Sequence, residues 1–279
     1  KSVKQRTKSL RELNDELESR VLARTEELAK ANLHLREMDK VKSEFISVAA
    51  HQLRTPLTGI RWALEILLDE QEGMPEKQRK ILSQTLDATT HVINLVGELL
   101  DINRIEEGQY EIRPSLQPIS PIVEEIFGNY KSMATSHKVD FKLALPKIPL
   151  PDLLVDREKI TIVFDNLVDN AIKYTPEGGS IEFKVDVGPK EVVFRVRDTG
   201  IGIPGDQFHR VFSKFYRSSN AIHFKTDGTG LGLYVAKQIT EMHHGTVGFT
   251  SVEGKGSEFF CTLPIPTSGS GTLSKSGSV

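Results

Sequence analysis

At 279 residues the chain is long enough for about two domains, and its formal net charge of −2 gives no electrostatic case for nucleic-acid or membrane-surface binding. A single cysteine, Cys261, excludes an internal disulfide and a cysteine-rich zinc site and suits a reducing, cytoplasmic compartment. No run of 18 apolar residues occurs, so no bilayer-spanning helix or membrane contact is expected. The start at Lys1, without methionine or a signal-like segment, reads as a cut from something longer.

Residues 9–48 lack Gly and Pro and carry apolar residues at helical spacing. Leu10, Leu13 and Leu17 follow a three-four rhythm, which Val21 resumes one step late before Leu28, Ala31, Leu35, Met38 and Phe45. That pattern predicts a parallel two-stranded coiled coil with a stutter, although Arg24 and Lys42 fall at core-type positions. An amphipathic helix packed on its own domain is the alternative. The helical pattern continues through HQLRTP to about Asp69, Glu72-Gly73-Met74-Pro75 reads as a turn, and a second helix is expected over Glu76 to Glu106. Two such helices form an antiparallel hairpin whose wide apolar face one chain cannot cover, so a homodimeric four-helix bundle is predicted. Gly108 and the proline-punctuated run to Pro121 mark a linker.

Beyond the linker the pattern alternates. A helix over about Ser120 to His137 precedes a strand over Val139 to Leu145 and a helix over about Arg157 to Tyr174. Strands follow at Ser180 to Val187 and Glu191 to Asp198, then an irregular stretch, a helix ending near His243, and strands at Thr246 to Ser251 and Ser257 to Leu263. The fold class is therefore α+β: an N-terminal coiled coil and dimeric four-helix bundle, one helical hairpin per chain, followed by an α/β sandwich with helices on one face. The expected divisions are 1–38 coiled coil, 39–108 hairpin, 109–118 linker, 119–266 second domain and a disordered Gly/Ser-rich tail, 267–279.

Four short motifs carry chemistry. In HQLRTP, His51 lies on a helix that Pro56 should kink, with Thr55 one turn away on the same face; a neutral imidazole is a competent nitrogen nucleophile. In DNLVDNAIKY, Asn166 and Asn170 project from one helix face amid apolar residues, and such amides need a polar ligand. Magnesium with phosphate oxygens would supply one, with Lys173 adding positive charge and Tyr174 an aromatic face. In DTGIGI, Asp198 ends a strand, and Gly200 and Gly202 allow a sharp turn and close approach to a flat ligand, whose exocyclic amine the carboxylate suits. In DGTGLGL, from Asp227, Gly228, Gly230, Leu231 and Gly232 open a helix whose free N–H groups suit phosphates.

Between the glycine motifs, 204–226 reads as a lid anchored by Phe212, Phe215 and Tyr216, with Arg217 placed to steady a transferring phosphoryl group. His243-His244-Gly245 reads as a glycine-capped helix end where cationic histidine suits the dipole.

Taken in order, these motifs resemble the catalytic core of the bacterial-type sensor histidine kinases, from roughly Asp39 to Pro264. The resemblance implies a protein histidine kinase in which His51 attacks the γ-phosphate of ATP through Nε2. ATP would be held by Asn166, Asn170, Lys173, Tyr174, Asp198 (reading adenine N6), Gly200, Gly202, Gly228, Gly230, Leu231 and Gly232, with Mg²⁺ on Asn170. It also implies transfer to an aspartate of a response-regulator receiver, hydrolysis of that aspartyl phosphate through Thr55, and an upstream sensor domain. One departure stands out: the family commonly has Glu or Asp after the histidine, and here it is Gln52. An amide orients an imidazole but cannot take a proton at neutral pH. Gln52 alone favours the rival reading, a weak or inactive kinase serving as phosphatase or dimeric scaffold. The histidine-bearing segment upstream argues against another ATPase of the gyrase, Hsp90 and mismatch-repair superfamily.

Overall fold

A computed structural model describes residues 2–69, 74–225 and 228–266. The Glu72-Gly73 half of the expected turn, Asp227, the 267–279 tail and the side chains of His51, His91, Leu10, Leu13, Leu35, Lys42 and Phe45 lie outside the described residues. The chain divides into two compact units, Lys1–Asn103 and Arg104–Val279.

The first unit consists of α1 (Ser2–Asp69) and most of α2 (Glu76–Glu106). The helix assignment of α1 runs through Pro56 without a break. Pro75 stands just before α2, where its carbonyl accepts from the N–H groups of Gln78 and Arg79 at 2.8 and 3.1 Å. Among the described residues, the buried cluster of this unit is small: Ala50, Val96 and Leu100, with Leu57 against it. Large apolar side chains remain exposed, including Leu17, Val21, Leu28 and Met38 of the heptad seam and Trp62, Ile60 and Val92 further on. Arg24, at a core-type position of the heptad, instead pairs with Glu27 at 2.6 Å on the exposed surface.

The second unit is built on a five-stranded sheet of order β2-β4-β5-β7-β6, in which only β2 and β4 run parallel. The strands are β2 (Asp140–Ala144), β4 (Ser180–Val187), β5 (Glu191–Asp198), β6 (Thr246–Val252) and β7 (Gly256–Pro264). Three helices pack with it: α3 (Ile119–Ser136), α4 (Arg157–Tyr174) and α6 (Gly232–Met242). Phe164 of α4 is fully buried, its ring 5.7 Å from Phe183 on β4 and 4.7 Å from Phe194 on β5. Those contacts fix the pitch of α4 over the sheet and so the direction in which its asparagines point.

Part of the stretch read as linker is a strand. β1 (Ser115–Pro118) pairs antiparallel with β3 (Asp152–Val155), Ser115 opposite Val155 and Pro118 opposite Asp152. Pro114 and Pro118 flank and end this two-stranded ladder, and prolines are tolerated at strand ends and sheet edges. Local composition looked like a linker because the pairing partner lies some 37 residues on, beyond any sequence window.

The end of α6 also differs from expectation. His244, not Gly245, takes the left-handed conformation, with φ +59°. The Gly245 N–H closes the helix on the Thr240 carbonyl at 2.9 Å, and Gly245 is needed for space: a Cβ there would lie 2.0 Å from the Thr262 carbonyl oxygen.

Candidate nucleotide site

Asp198 is the anchor. It is buried at the end of β5, and its Oδ1 accepts the N–H groups of Gly200 at 2.7 Å and Ser257 at 3.2 Å. Burial raises its carboxyl to about 6, against the lowering effect of those two bonds. With both amides on Oδ1, Oδ2 is left to accept from a ligand.

The turn around Asp198 is stapled from two directions. The Ile201 N–H donates to the Tyr174 carbonyl at 3.1 Å, tying the turn to the end of α4, and a Cβ on Gly200 would lie 2.4 Å from that same oxygen. The β6–β7 hairpin closes the other side. Gly254 N–H donates to the Ile201 carbonyl at 2.8 Å, and Ile203 N–H donates to Ser251 Oγ at 2.9 Å. A Cβ on Gly202 would lie 2.1 Å from the Val252 carbonyl oxygen, and one on Gly256 2.0 Å from that of Asp198. Ser251, Gly256 and Ser257 were not singled out in the sequence; the only signal was the paired glycines of Gly254-Lys255-Gly256.

The α4 residues separate into different parts. Asn166 Nδ2 donates back to the Ile162 carbonyl at 2.8 Å, and its Oδ1 lies where a Cβ on Gly232 would fall, 2.0 Å away. Its amide therefore packs directly on the start of α6. Asn170 is half-buried and makes no side-chain hydrogen bond among the described residues, which leaves its amide oxygen available as a hard ligand. The Lys173 ammonium is paired with Asp169, one turn back. Tyr174 turns its hydroxyl toward Gly228, 3.5 Å from where a Cβ would stand.

Above these lies the segment after Pro204. It is more structured than a bare lid: a 3₁₀ turn (Gly205–Arg210) and α5 (Ser219–Phe224) punctuate it. Phe212 anchors it against Phe249 and Phe259, with ring centroids 5.8 and 6.5 Å away, whereas Tyr216, expected as an anchor, braces the segment internally by donating to Gln207 Oε1 at 2.6 Å. Phe215, expected as a third anchor, is instead 62% exposed at φ +58°. The peptide of residues 215 and 216 packs directly on Gly230, itself at φ +69°, where a Cβ would lie 2.7 Å from the Phe215 carbonyl carbon. The Arg217 guanidinium donates to the Ala221 and Lys225 carbonyls and faces Gly228, whose Cβ would stand 3.4 Å from its Cζ. Leu231 is fully buried beneath the second glycine motif. Asn166, Asn170, Tyr174, Asp198, Arg217 and both glycine turns thus converge within one unit.

In the helical unit, Gln52 and Thr55 are exposed on α1 near the His51 backbone, and Thr58 back-bonds to the Arg54 carbonyl at 2.8 Å.

A sheet with a helix-borne asparagine, a buried aspartate and two glycine turns at one end defines an ATPase domain of a known class. Residues 155–267 match the histidine kinase-, DNA gyrase B-, and HSP90-like ATPase profile, and residues 41–108 match the His Kinase A (phospho-acceptor) profile. The sensor histidine kinase WalK of Bacillus subtilis (strain 168) is 36% identical over 232 residues, 82% of this chain and 37% of that protein. The sensor protein kinase WalK of Staphylococcus aureus is 33% identical over 230 residues, 82% of this chain and 55% of that protein. The crystal structure of full-length ShkA in complex with AMPPNP superposes with a TM-score of 0.66 at 26% identity, covering 80% of this chain and 46% of that one. The chain belongs to the histidine kinases and comprises their catalytic core. It spans between about a third and a half of the length of these curated relatives.

Proposed function

We propose that this core phosphorylates its own His51 from ATP and passes the phosphoryl group to an aspartate of a response-regulator receiver. The observation that carries the reading is Asp198: a buried carboxylate with one oxygen satisfied by two backbone amides, on a turn tied to the end of α4, the helix that bears the half-buried Asn170 with no side-chain hydrogen bond among the described residues. Asp198 Oδ2 would accept from the adenine amine, Tyr174 and Arg217 would line the path toward Gly228, and the N–H groups opening α6 would take phosphate oxygens. Asn170 fits a magnesium ion, which when bound neutralises charge on the β- and γ-phosphates. The lone pair of His51 Nε2 forms the N–P bond as the bond to the ADP oxygen breaks. The Nδ1 proton must leave, and since Gln52 cannot accept it at neutral pH, it goes to water.

The helical region is proposed to act as a homodimeric bundle extended by the coiled coil, with divisions at 1–38, 39–108, 109–118, 119–266 and 267–279. A cytoplasmic location, an upstream sensor and phosphatase action through the exposed Thr55 belong to the same proposal. Among the described residues, no helix is long and apolar enough to cross a membrane. Incubation with Mg-ATP labelled at the γ-phosphate tests the reading: alkali-stable, acid-labile label that His51→Gln removes is expected. ATP binding without label would favour the phosphatase or scaffold alternative that Gln52 raises.

A further inference from the structure

Helices α4 and α6 are clamped to each other at two places. At one end, Gly232 meets the Asn166 amide, inside the nucleotide site. At the other, far from it, the N–H of Asp156 donates to His243 Nε2 at 3.0 Å. An acceptor at Nε2 places the ring proton on Nδ1, which donates to the Ile239 carbonyl at 2.8 Å, so the buried ring uses both nitrogens as a neutral imidazole does. Asp156 is the N-cap of α4: its Oδ1 accepts Lys159 N–H at 3.2 Å while its Oδ2 accepts Arg113 N–H, from the segment entering the unit, at 2.8 Å.

The two clamps have matched spans. Asp156 to Asn166 covers about 15 Å along α4, and Gly232 to His243 about 16.5 Å along α6, at the helical rise. The helices therefore lie antiparallel, with α6 held at both its ends against the first half of α4, and loss of the distal pin lets α6 slide or tilt against α4. Slippage would separate Gly232 from Asn166 and displace the N–H groups that open α6.

We infer that His243 is a positioning residue for nucleotide binding, acting through the Asp156 N–H to hold the glycine-rich start of α6 against Asn166. This rests on the kinase reading above. Two variants separate the roles of the ring nitrogens. Gln places an amide oxygen where Nε2 stands; Asn reaches only the Nδ1 position and loses Asp156. In the full chain, the KM for Mg-ATP in autophosphorylation and the Kd for a non-hydrolysable ATP analogue are measured for each.

The expected result is a five- to tenfold rise in KM and Kd for His243→Asn, with kcat within twofold, and recovery to within twofold of wild type for His243→Gln. A destabilising control elsewhere on α6, Ile239→Val, should leave KM unchanged. Equal KM for Asn and wild type, or equal failure of Asn and Gln, would overturn the inference. No analogue binding by the wild-type chain would overturn the kinase reading instead.

Discussion

The two units solve the burial problem differently. The ATPase unit closes its own core: Phe164, Phe183, Phe194, Ile160 and Leu167 are fully or almost fully buried between sheet and helices. The helical unit leaves Leu17, Val21, Leu28 and Trp62 between 58% and 69% exposed while burying, among the described residues, only a handful of side chains. A two-helix hairpin has one apolar face and nothing of its own to put on it. One unit closes its own core around the candidate nucleotide site; the other leaves an apolar face that the proposed homodimer would cover, and the proposed acceptor, His51, belongs to that unit.

The largest effect that would sharpen this division is chemical. His51→Gln should abolish label entirely while leaving the affinity for a non-hydrolysable ATP analogue within twofold, because acceptor and pocket lie in different units. Parallel loss of both, seen by calorimetry, would break the comparison. Next comes Gly232→Ala. A methyl group there would fall 2.0 Å from Asn166 Oδ1, so the amide and the start of α6 must move apart, and nucleotide affinity should fall by about tenfold, a free-energy change of about 1.4 kcal/mol. The helical unit should be unaffected.

Gln52→Glu should raise the single-turnover rate about tenfold, since a carboxylate beside the histidine can take the Nδ1 proton, and general-base contributions reach about 10²–10⁴-fold. A flat or lower rate would show that proton removal by the neighbour is not limiting.

Asp198 gives a smaller, pH-dependent effect. Its carboxyl sits near 6 in the folded unit, above the unfolded value of about 3.9. The folded state therefore binds the extra proton, and the stability contributed by this group is fully present below about pH 4 and lost as pH rises through about 6. Ligand binding runs the other way: the ionised form is the better acceptor, so analogue affinity should weaken several-fold as pH falls from 7.5 to 5. Asp198→Asn should flatten that part of the profile.

The smallest effect concerns assembly. Trp62 is the chain's single tryptophan and lies on α1, so its fluorescence reports the helical unit alone. Its melting midpoint should rise by a few degrees over a hundredfold increase in concentration, as mass action requires of a dimer, and ATP analogue should not move it. A concentration-independent midpoint would mean the hairpin is covered some other way.

Several features were set by the sequence itself. The spans of α2, α4, β4 and β5 follow from apolar periodicity with local stop signals, such as the Thr175-Pro176 that ends α4, and the glycine motifs are legible because a close backbone approach admits no other residue. Tertiary structure alone decided what depends on partners distant along the chain. It made Ser115–Pro118 a strand, since its ladder partner begins at Asp152. It packed Asn166 on Gly232 while leaving Asn170 without a side-chain hydrogen bond among the described residues, although four-residue spacing treats the two alike. It turned Phe215 outward, and it made His243 a neutral acceptor for Asp156, 87 positions away. Periodicity and turn chemistry act through neighbours a few residues apart, whereas the roles of buried polar groups are fixed by whichever donor or acceptor the fold brings to them.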